Sequence, residues 1–325
     1  MKNFNLVTGA DGFIGSHLVE ELLKRKKKVR AIVQYNSFNS YGWLENIQNK
    51  NLEIILGDVR SSDFVNSVMK GCEKIFHLAA LISIPYSYRT PQSYFDTNVN
   101  GTMNILESAK NNKVKKILIT STSEVYGTAI YTPIDEKHQL QGQSPYSASK
   151  ISADKLSEAY ALSYDLPIII ARPFNNFGPR QSNRAIIPTI INQLLKSDKI
   201  KLGNLKSVRD FVFVTDTVQA MIKLSDSKFK KGEVFNICSG RKIRIYELAK
   251  KISKILRKEL YIKIDKQRIR PKNSEVNKLI GCNKKIKKLI KWTIKVNFDQ
   301  GLKKTCEWYL DRENRKLFSK TDYTI

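Results

Sequence analysis

Near its N-terminus the chain reads NLVTGADGFIGSH, and this segment constrains the fold more than any other. Asn5 to Thr8 has the composition of a short buried strand, and an apolar pattern of helical period begins at Ile14. Between and into them fall Gly9, Gly12 and Gly15. Glycine permits a tight strand-to-helix turn and lets a ligand approach the backbone. The helix then turns its positive N-terminal end toward that ligand, which suits a pyrophosphate. The spacing is GxxGxxG rather than the commoner GxGxxG, so its position directly after a first strand carries the inference.

Strands and helices continue to alternate as far as Arg172. Val29 to Val33, Leu52 to Leu56, Lys74 to Leu78, Lys116 to Thr120 and Pro167 to Arg172 read as strands. Ile14 to Lys24, about Tyr94 to Asn111, and Tyr146 to Tyr164 read as helices. This order predicts an α/β fold with a doubly wound parallel sheet. After Arg172 the pattern loosens into PFNNFGPRQSN before a helix at Ile186 to Lys196. The expected division is therefore interleaved. Residues 1–172 form the dinucleotide-binding lobe with 208–238 returning to it, and 173–207 and 239–325 form a smaller C-terminal lobe.

Bulk properties narrow the function classes. The formal net charge is +27, but the basic residues are spread widely and sit between apolar residues at helical spacing, as from Ile280 onward. No aromatic-interleaved basic stripe or nucleic-acid module accompanies them, so no nucleic-acid partner is expected. The charge should instead draw in an anionic substrate. No apolar run reaches the roughly 18 residues that cross a bilayer, and the N-terminus lacks the sections of a signal peptide. A cytoplasmic protein without a membrane partner is expected. Cys72, Cys238, Cys282 and Cys306 show no metal-ligand spacing, so free thiols and no metal site are expected.

Further segments fit the dinucleotide site. Phe13 and Ile14 open the first helix beside the glycines. Asp58-Val59 follows the third strand, where an acid can accept the adenine amino group, and Leu78-Ala79-Ala80 follows the fourth, where small residues leave room. The second strand ends in Val33-Gln34-Tyr35-Asn36-Ser37, with Asn36 the candidate contact. It lacks the acid that binds the ribose of NAD about 20 residues beyond the glycines. A 2'-phosphate meets no repulsion there, and Arg60 or Arg30 could reach it. NAD and NADP both remain candidates, with NADP the better fit.

The chemistry concentrates in TSTSEVYG and SPYSASK. Tyr146 and Lys150 lie one helical turn apart on one face. A lysine ammonium near the phenol should lower its pKa, so that Tyr146 can accept a hydroxyl proton while hydride leaves the carbon. Thr122, just after a strand, can hydrogen-bond the same oxygen. His77 and His17 read as structural.

TGADGFIG, STSEVYG, YSASK, RPFNNFGPR and RDFVFVTD together resemble the extended short-chain dehydrogenase/reductase family. Within it the chain resembles the nucleotide-sugar 4,6-dehydratases. YNSFNSYGWL, HLAALISIPYSY and DEKHQLQGQSPYSASK look most like the GDP-N-acetylglucosamine 4,6-dehydratases of legionaminic acid synthesis. The resemblance implies a Rossmann lobe, a C-terminal nucleotide-sugar lobe, and a homodimer formed through helices that include the Tyr146 helix. It implies that Glu124 removes the C-5 proton once C-4 is a ketone. It leaves open whether Glu124 or Ser123 assists the departing C-6 hydroxyl. Asn175, Arg184, Arg209 and Arg270 are the implied substrate contacts. C-4 epimerases and UDP-glucuronate-type decarboxylases share parts of the pattern, and a non-catalytic dinucleotide sensor is the rival of another class.

Overall fold

The computed structural model describes residues 3–316; residues 317–325, the tail of the expected C-terminal lobe, lie outside the described residues, as do the first two. Seven parallel strands form the central sheet: β1 (Phe4–Thr8), β2 (Val29–Gln34), β3 (Leu52–Gly57), β4 (Cys72–His77), β5 (Lys116–Thr120), β6 (Ile168–Pro173) and β7 (Glu233–Ile237). Their order is β7-β6-β5-β4-β1-β2-β3. The winding direction reverses between β1 and β4, and a crevice opens at the C-terminal ends of those strands. The doubly wound α/β fold expected from the sequence is the fold observed.

The strand sequences explain why the sheet is buried on both faces. Ile117, Leu118 and Ile119 of β5 and Ile168, Ile169 and Ile170 of β6 are all fully buried. Such unbroken apolar runs suit a parallel sheet covered by helices on both sides. One face packs Val7, Val33 and Phe76 against the helices Phe13–Lys24 and Val214–Asp226. The other packs Leu6, Ile75 and Ile170 against Ser62–Met69 and Gly101–Asn111.

Two local features set the site. Gly9 has φ +63°, and a Cβ on Gly15 would stand 2.1 Å from the Gly9 carbonyl oxygen, so the first turn needs glycine at both positions. The helix Pro145–Ser163 starts with proline in its first turn and a reciprocal cap. Ser144 Oγ accepts from the Ser147 amide at 3.1 Å, and Ser147 Oγ accepts from the Ser144 amide at 2.9 Å. That cap fixes Tyr146 in the first turn.

The expected helix from Tyr94 to Asn111 is interrupted. Pro91–Phe95 and Gly101–Asn111 are α-helical, and Asp96–Asn100 between them is a wider π turn. Its cause is Asn98, whose amide accepts from Leu81 N at 2.9 Å and donates to Leu81 O and Ser149 Oγ at 3.0 Å each. Those bonds offset the loss of regular helical ones. Apolar periodicity carries no trace of such a turn.

A second core lies beside the sheet, built from Phe177, Ile187, Ile191, Leu202, Ile252 and Leu302 among others. The strand Phe211–Phe213 is the seam. Phe211 and Phe213 enter the second core, while Val212 between them enters the first, as the two-residue period of a strand dictates. Of residues 208–238, the helix Val214–Asp226 and β7 join the main sheet, whereas Phe211–Phe213 pairs with Asn175–Phe177. Fully buried Asp210 ties this seam down. Its carboxylate accepts from Ser239 N at 2.8 Å, Ser239 Oγ at 2.5 Å, Gly240 N at 2.8 Å and Gly281 N at 3.2 Å. Burial pushes this carboxyl up to about 6. Asp210→Ala strands several buried donors and should destabilise the fold by about 3 kcal/mol in urea titrations. A loss below about 1 kcal/mol would show the clamp to be dispensable.

Candidate active site

A cleft of about 860 Å³ runs from the glycine turn, across the ends of β1, β4 and β5, to the second core. At the glycine end its wall contains Gly9, Gly12, Phe13, Ile14 and Gly15. Gly12 is the N-cap of the first helix; no side chain caps that end, and its first turn holds no acid. The free amides and the helix dipole therefore face the cleft as an anion cradle, which fits a dinucleotide pyrophosphate. Thr8 Oγ1 accepts from the Leu78 and Ala79 amides at 3.1 Å each and pairs with His77 Nδ1 at 2.8 Å. His77 Nε2 meets Thr102 Oγ1 at 3.2 Å, so the imidazole braces the wall; burial and the nearby Lys150 charge push its pKa down to about 3.

Asp58, Val59, Leu78, Ala79 and Ala80 all line the cleft. Asp58 does not cap the following helix, a task that Ser61 performs. It grips Arg60, with Nη2 to Oδ2 at 2.5 Å, and that hydrogen bond holds the Asp58 carboxyl below its ordinary range. Ile32 and Gln34 are the β2 residues on the cleft wall.

Two expectations for this end need correction. Asn36 is not on the wall: its side chain closes a turn, donating to Gln34 O at 3.1 Å and Ser40 O at 2.9 Å and accepting from Ser40 N at 3.1 Å. Arg30 cannot reach the ribose, because it stands near the start of β2, remote from the C-terminal strand ends. There it bonds Glu53 at 2.9 Å and Lys70 O at 2.8 Å and lies 4.5 Å over the Phe4 ring.

At the centre Thr122, Glu124, Tyr146 and Lys150 share the wall. Thr122 begins a 3₁₀ turn, and its Oγ1 accepts from Glu124 N at 3.2 Å. Tyr146 is 6% exposed and its hydroxyl bonds Thr122. Lys150 Nζ donates to Thr120 O at 2.7 Å, and burial pushes its pKa down to about 8. The expected lowering of the Tyr146 pKa is not realised here. Burial drives it up, the Thr122 hydrogen bond offsets this in part, and the Glu124 charge adds to the rise. Ser123 is buried and absent from the cleft wall, because neighbouring side chains diverge in the tight turn.

At the far end stand Asn175, Arg184, Arg209 and Arg270. Arg184 is exposed on the rim. Asn175 Oδ1 is buried without a hydrogen-bond partner. Arg270 Nη1 lies 3.2 Å from Glu124 Oε2, so its ion pair is an element of the cleft rather than of the outer surface. Burial opposes the charge of Arg270, while Glu124 and Glu275 support it. Arg209, 6% exposed, is disfavoured as a cation by burial and steadied by Glu124.

Among the wall residues that sequence reasoning missed are Arg180 and Glu275. Arg180 bonds Glu20 at 2.6 Å and lies 5.9 Å over Trp43; its one signal was membership of RPFNNFGPR. Glu275 accepts from Ser207 Oγ at 3.2 Å and had no signal. Among the described residues no cluster of His, Cys, Asp or Glu could hold a metal ion, and no helix is long and apolar enough to cross a membrane.

The chain is similar to known proteins over most of its length. A dTDP-D-glucose 4,6-dehydratase from Dictyostelium discoideum is 34% identical over 273 residues, which cover 77% of this chain and 61% of that protein. The chain thus spans less than two thirds of that relative. A UDP-N-acetyl-alpha-D-glucosaminuronate decarboxylase from Bacillus cytotoxicus is 31% identical, covering 97% of this chain and 100% of its own. Among solved structures, the dTDP-glucose 4,6-dehydratase DesIV from Streptomyces venezuelae, with NAD bound, superposes with a TM-score of 0.88 at 28% identity, over 96% of this chain and 98% of that one. The sequence profile described as GDP-mannose 4,6 dehydratase matches residues 6–305, so the chain belongs to the GDP-mannose 4,6-dehydratase family.

Proposed function

We propose that the chain is a nucleotide-sugar 4,6-dehydratase, a hydro-lyase that converts GDP-N-acetylglucosamine to its 4-keto-6-deoxy form with a bound nicotinamide dinucleotide. The observation that carries this is the placement of Glu124 beside Tyr146 through the Thr122 turn, within one cleft. NAD-bound relatives and the uncapped glycine turn support the cofactor. The three segments that resemble GDP-N-acetylglucosamine dehydratases support the substrate.

A bound dinucleotide, held by the Gly9–Gly15 turn, would supply the acceptor for a hydride from C-4 and the donor of a hydride to C-6. Tyr146 takes the proton of the C-4 hydroxyl, with Thr122 hydrogen-bonded to the same oxygen and Lys150 holding positive charge nearby. Glu124 then removes the C-5 proton, made acidic by the C-4 ketone. With Ser123 turned away from the cleft, Glu124 also hands a proton to the departing C-6 oxygen, which leaves as water. Arg209 and Arg270 hold the diphosphate through paired donors, with Asn175 beside them. We place a homodimer contact on the helices around Tyr146, where Phe95, Met103 and Leu162 are exposed; light scattering checks it as a doubled mass.

Incubation with a panel of GDP- and UDP-sugars, read by mass, tests the assignment. Loss of one water from GDP-N-acetylglucosamine is expected. The Bacillus relative favours decarboxylation as the second reading, which would show as loss of carbon dioxide from a uronate. Unchanged mass would indicate epimerisation, and no turnover of any sugar a sensor.

The cofactor assignment makes a further prediction. Gln34, uncharged, stands where an acid would repel a 2'-phosphate, so calorimetry should detect NADP binding as well as NAD. Gln34→Glu should weaken NADP about tenfold or more, the scale of one unfavourable charge contact. Exclusive NAD binding by the wild type would overturn this assignment.

A further inference from the structure

Tyr146, Lys150 and Asp154 recur every fourth residue on one face of the helix Pro145–Ser163, and all three are buried. Asp154 is fully buried, and no step assigned above uses it. Its Oδ2 accepts from Ser121 Oγ at 2.8 Å and from Arg172 Nε at 2.9 Å. Its Oδ1 is buried without a hydrogen-bond partner. Arg172, 2% exposed, is fixed from behind: Nη1 donates to the Tyr126 hydroxyl at 3.1 Å, and that hydroxyl donates to Asn236 Oδ1 at 2.7 Å.

From this cluster we infer that Asp154 is a positioning residue for Lys150: a buried counter-charge, clamped by Arg172 and Ser121, that keeps the ammonium charged against Thr120. The role rests on the assignment of Lys150 as the partner of Tyr146. A buried ammonium with one neutral carbonyl partner is poorly compensated. Among the described residues Lys150 has only the Thr120 carbonyl as its hydrogen-bond acceptor, and burial works against its charge. Asp154 is the charge that opposes this burial. The other ionisable groups around the helix do not replace it. His77 from β4 is held neutral, Arg172 from β6 has like charge, Tyr146 is protonated, and Glu124 faces Tyr146 and Arg270. Burial raises the Asp154 carboxyl, and Arg172, Ser121 and Lys150 work against it in favour of the ionised form. A carboxylate so held, with one oxygen unbonded, stands one helical turn beyond Lys150 on the same face.

Side-chain NMR of protein labelled with ¹⁵N-lysine tests this without substrate. The Lys150 ammonium signal is identified by its loss in Lys150→Met. In the wild type its titration midpoint should fall near the value of about 8 that burial sets. Asp154→Asn should move the midpoint down by at least about one pH unit, a tenfold loss of proton affinity. The alkaline limb of cofactor reduction in a single turnover should move with it. If Asp154→Asn does not fold, the double variant Asp154→Leu/Arg172→Met removes the ion pair as a unit, a change that buried cores tolerate better than breaking it. The same downward shift is expected there. An unchanged midpoint in either folded variant, even with a lower Tm, would overturn the proposal and leave the pair a structural bridge. A shifted midpoint in a protein that dehydrates no nucleotide-sugar would sustain the proposal and remove the dehydratase assignment instead.

Discussion

Phenylalanine at position 146 lowers turnover at least about a hundredfold while dinucleotide binding persists, the expected scale for losing a general base. The ring itself should stay in place. It is buried, and it packs edge-on to Tyr94 at 6.2 Å between centroids. What the substitution removes is the hydroxyl bonded to Thr122, the proposed acceptor of the C-4 hydroxyl proton. Burial favours the protonated phenol. Steady-state kinetics with calorimetry of dinucleotide binding checks both halves. Near-normal turnover in Tyr146→Phe would remove the assignment, and lost dinucleotide binding would mark the residue as structural.

The second large effect separates two half-reactions. Glu124→Gln keeps the shape of the side chain but cannot accept a proton. The variant should still reduce its bound cofactor on adding substrate, because the proposed mechanism gives that step to Tyr146 and Lys150, and then stall before elimination. In deuterated water the wild-type product should carry deuterium at C-5, with the original C-4 hydrogen found at C-6 as part of a methyl group. The variant should form less than about one part in a hundred of that product in the same time. Glutamine also dissolves the ion pair with Arg270 at 3.2 Å, so substrate affinity should be measured alongside. Affinity that changes while elimination proceeds would recast Glu124 as a partner of Arg270 alone. Neither an epimerase nor a sensor requires the stall.

Much of this site was legible in one dimension because its parts are local. The strand-glycine-helix turn at Gly9 to Gly15, the one-turn spacing of Tyr146 and Lys150, and the apolar strands of the sheet depend on neighbours within a few residues. Periodicity and backbone stereochemistry report such features directly. The same local logic failed where a side chain had more than one place to go. Asn36 was expected on the dinucleotide and instead closes its own turn onto Ser40. Ser123, adjacent to Thr122, was a candidate proton relay and turns into the protein. Arg30 was one of two candidates, with Arg60, to reach a 2'-phosphate, although its place near the start of β2 puts it at the far end of the strand.

The sequence by itself determined the fold class: six of the seven strands of the sheet were legible as apolar segments, and their alternation with helices called for a parallel doubly wound sheet, whereas the strand order that positions the crevice is a tertiary result. Only the tertiary structure decided which charges meet. Glu124 and Arg270 are 146 residues apart and form one ion pair; Arg180 reaches Glu20 across 160 residues; the carboxylate of Asp210 gathers amides from two distant loops. Charged side chains are long and point where burial leaves them a partner, and that partner is set by how the second core docks against the sheet, which no spacing within a segment encodes.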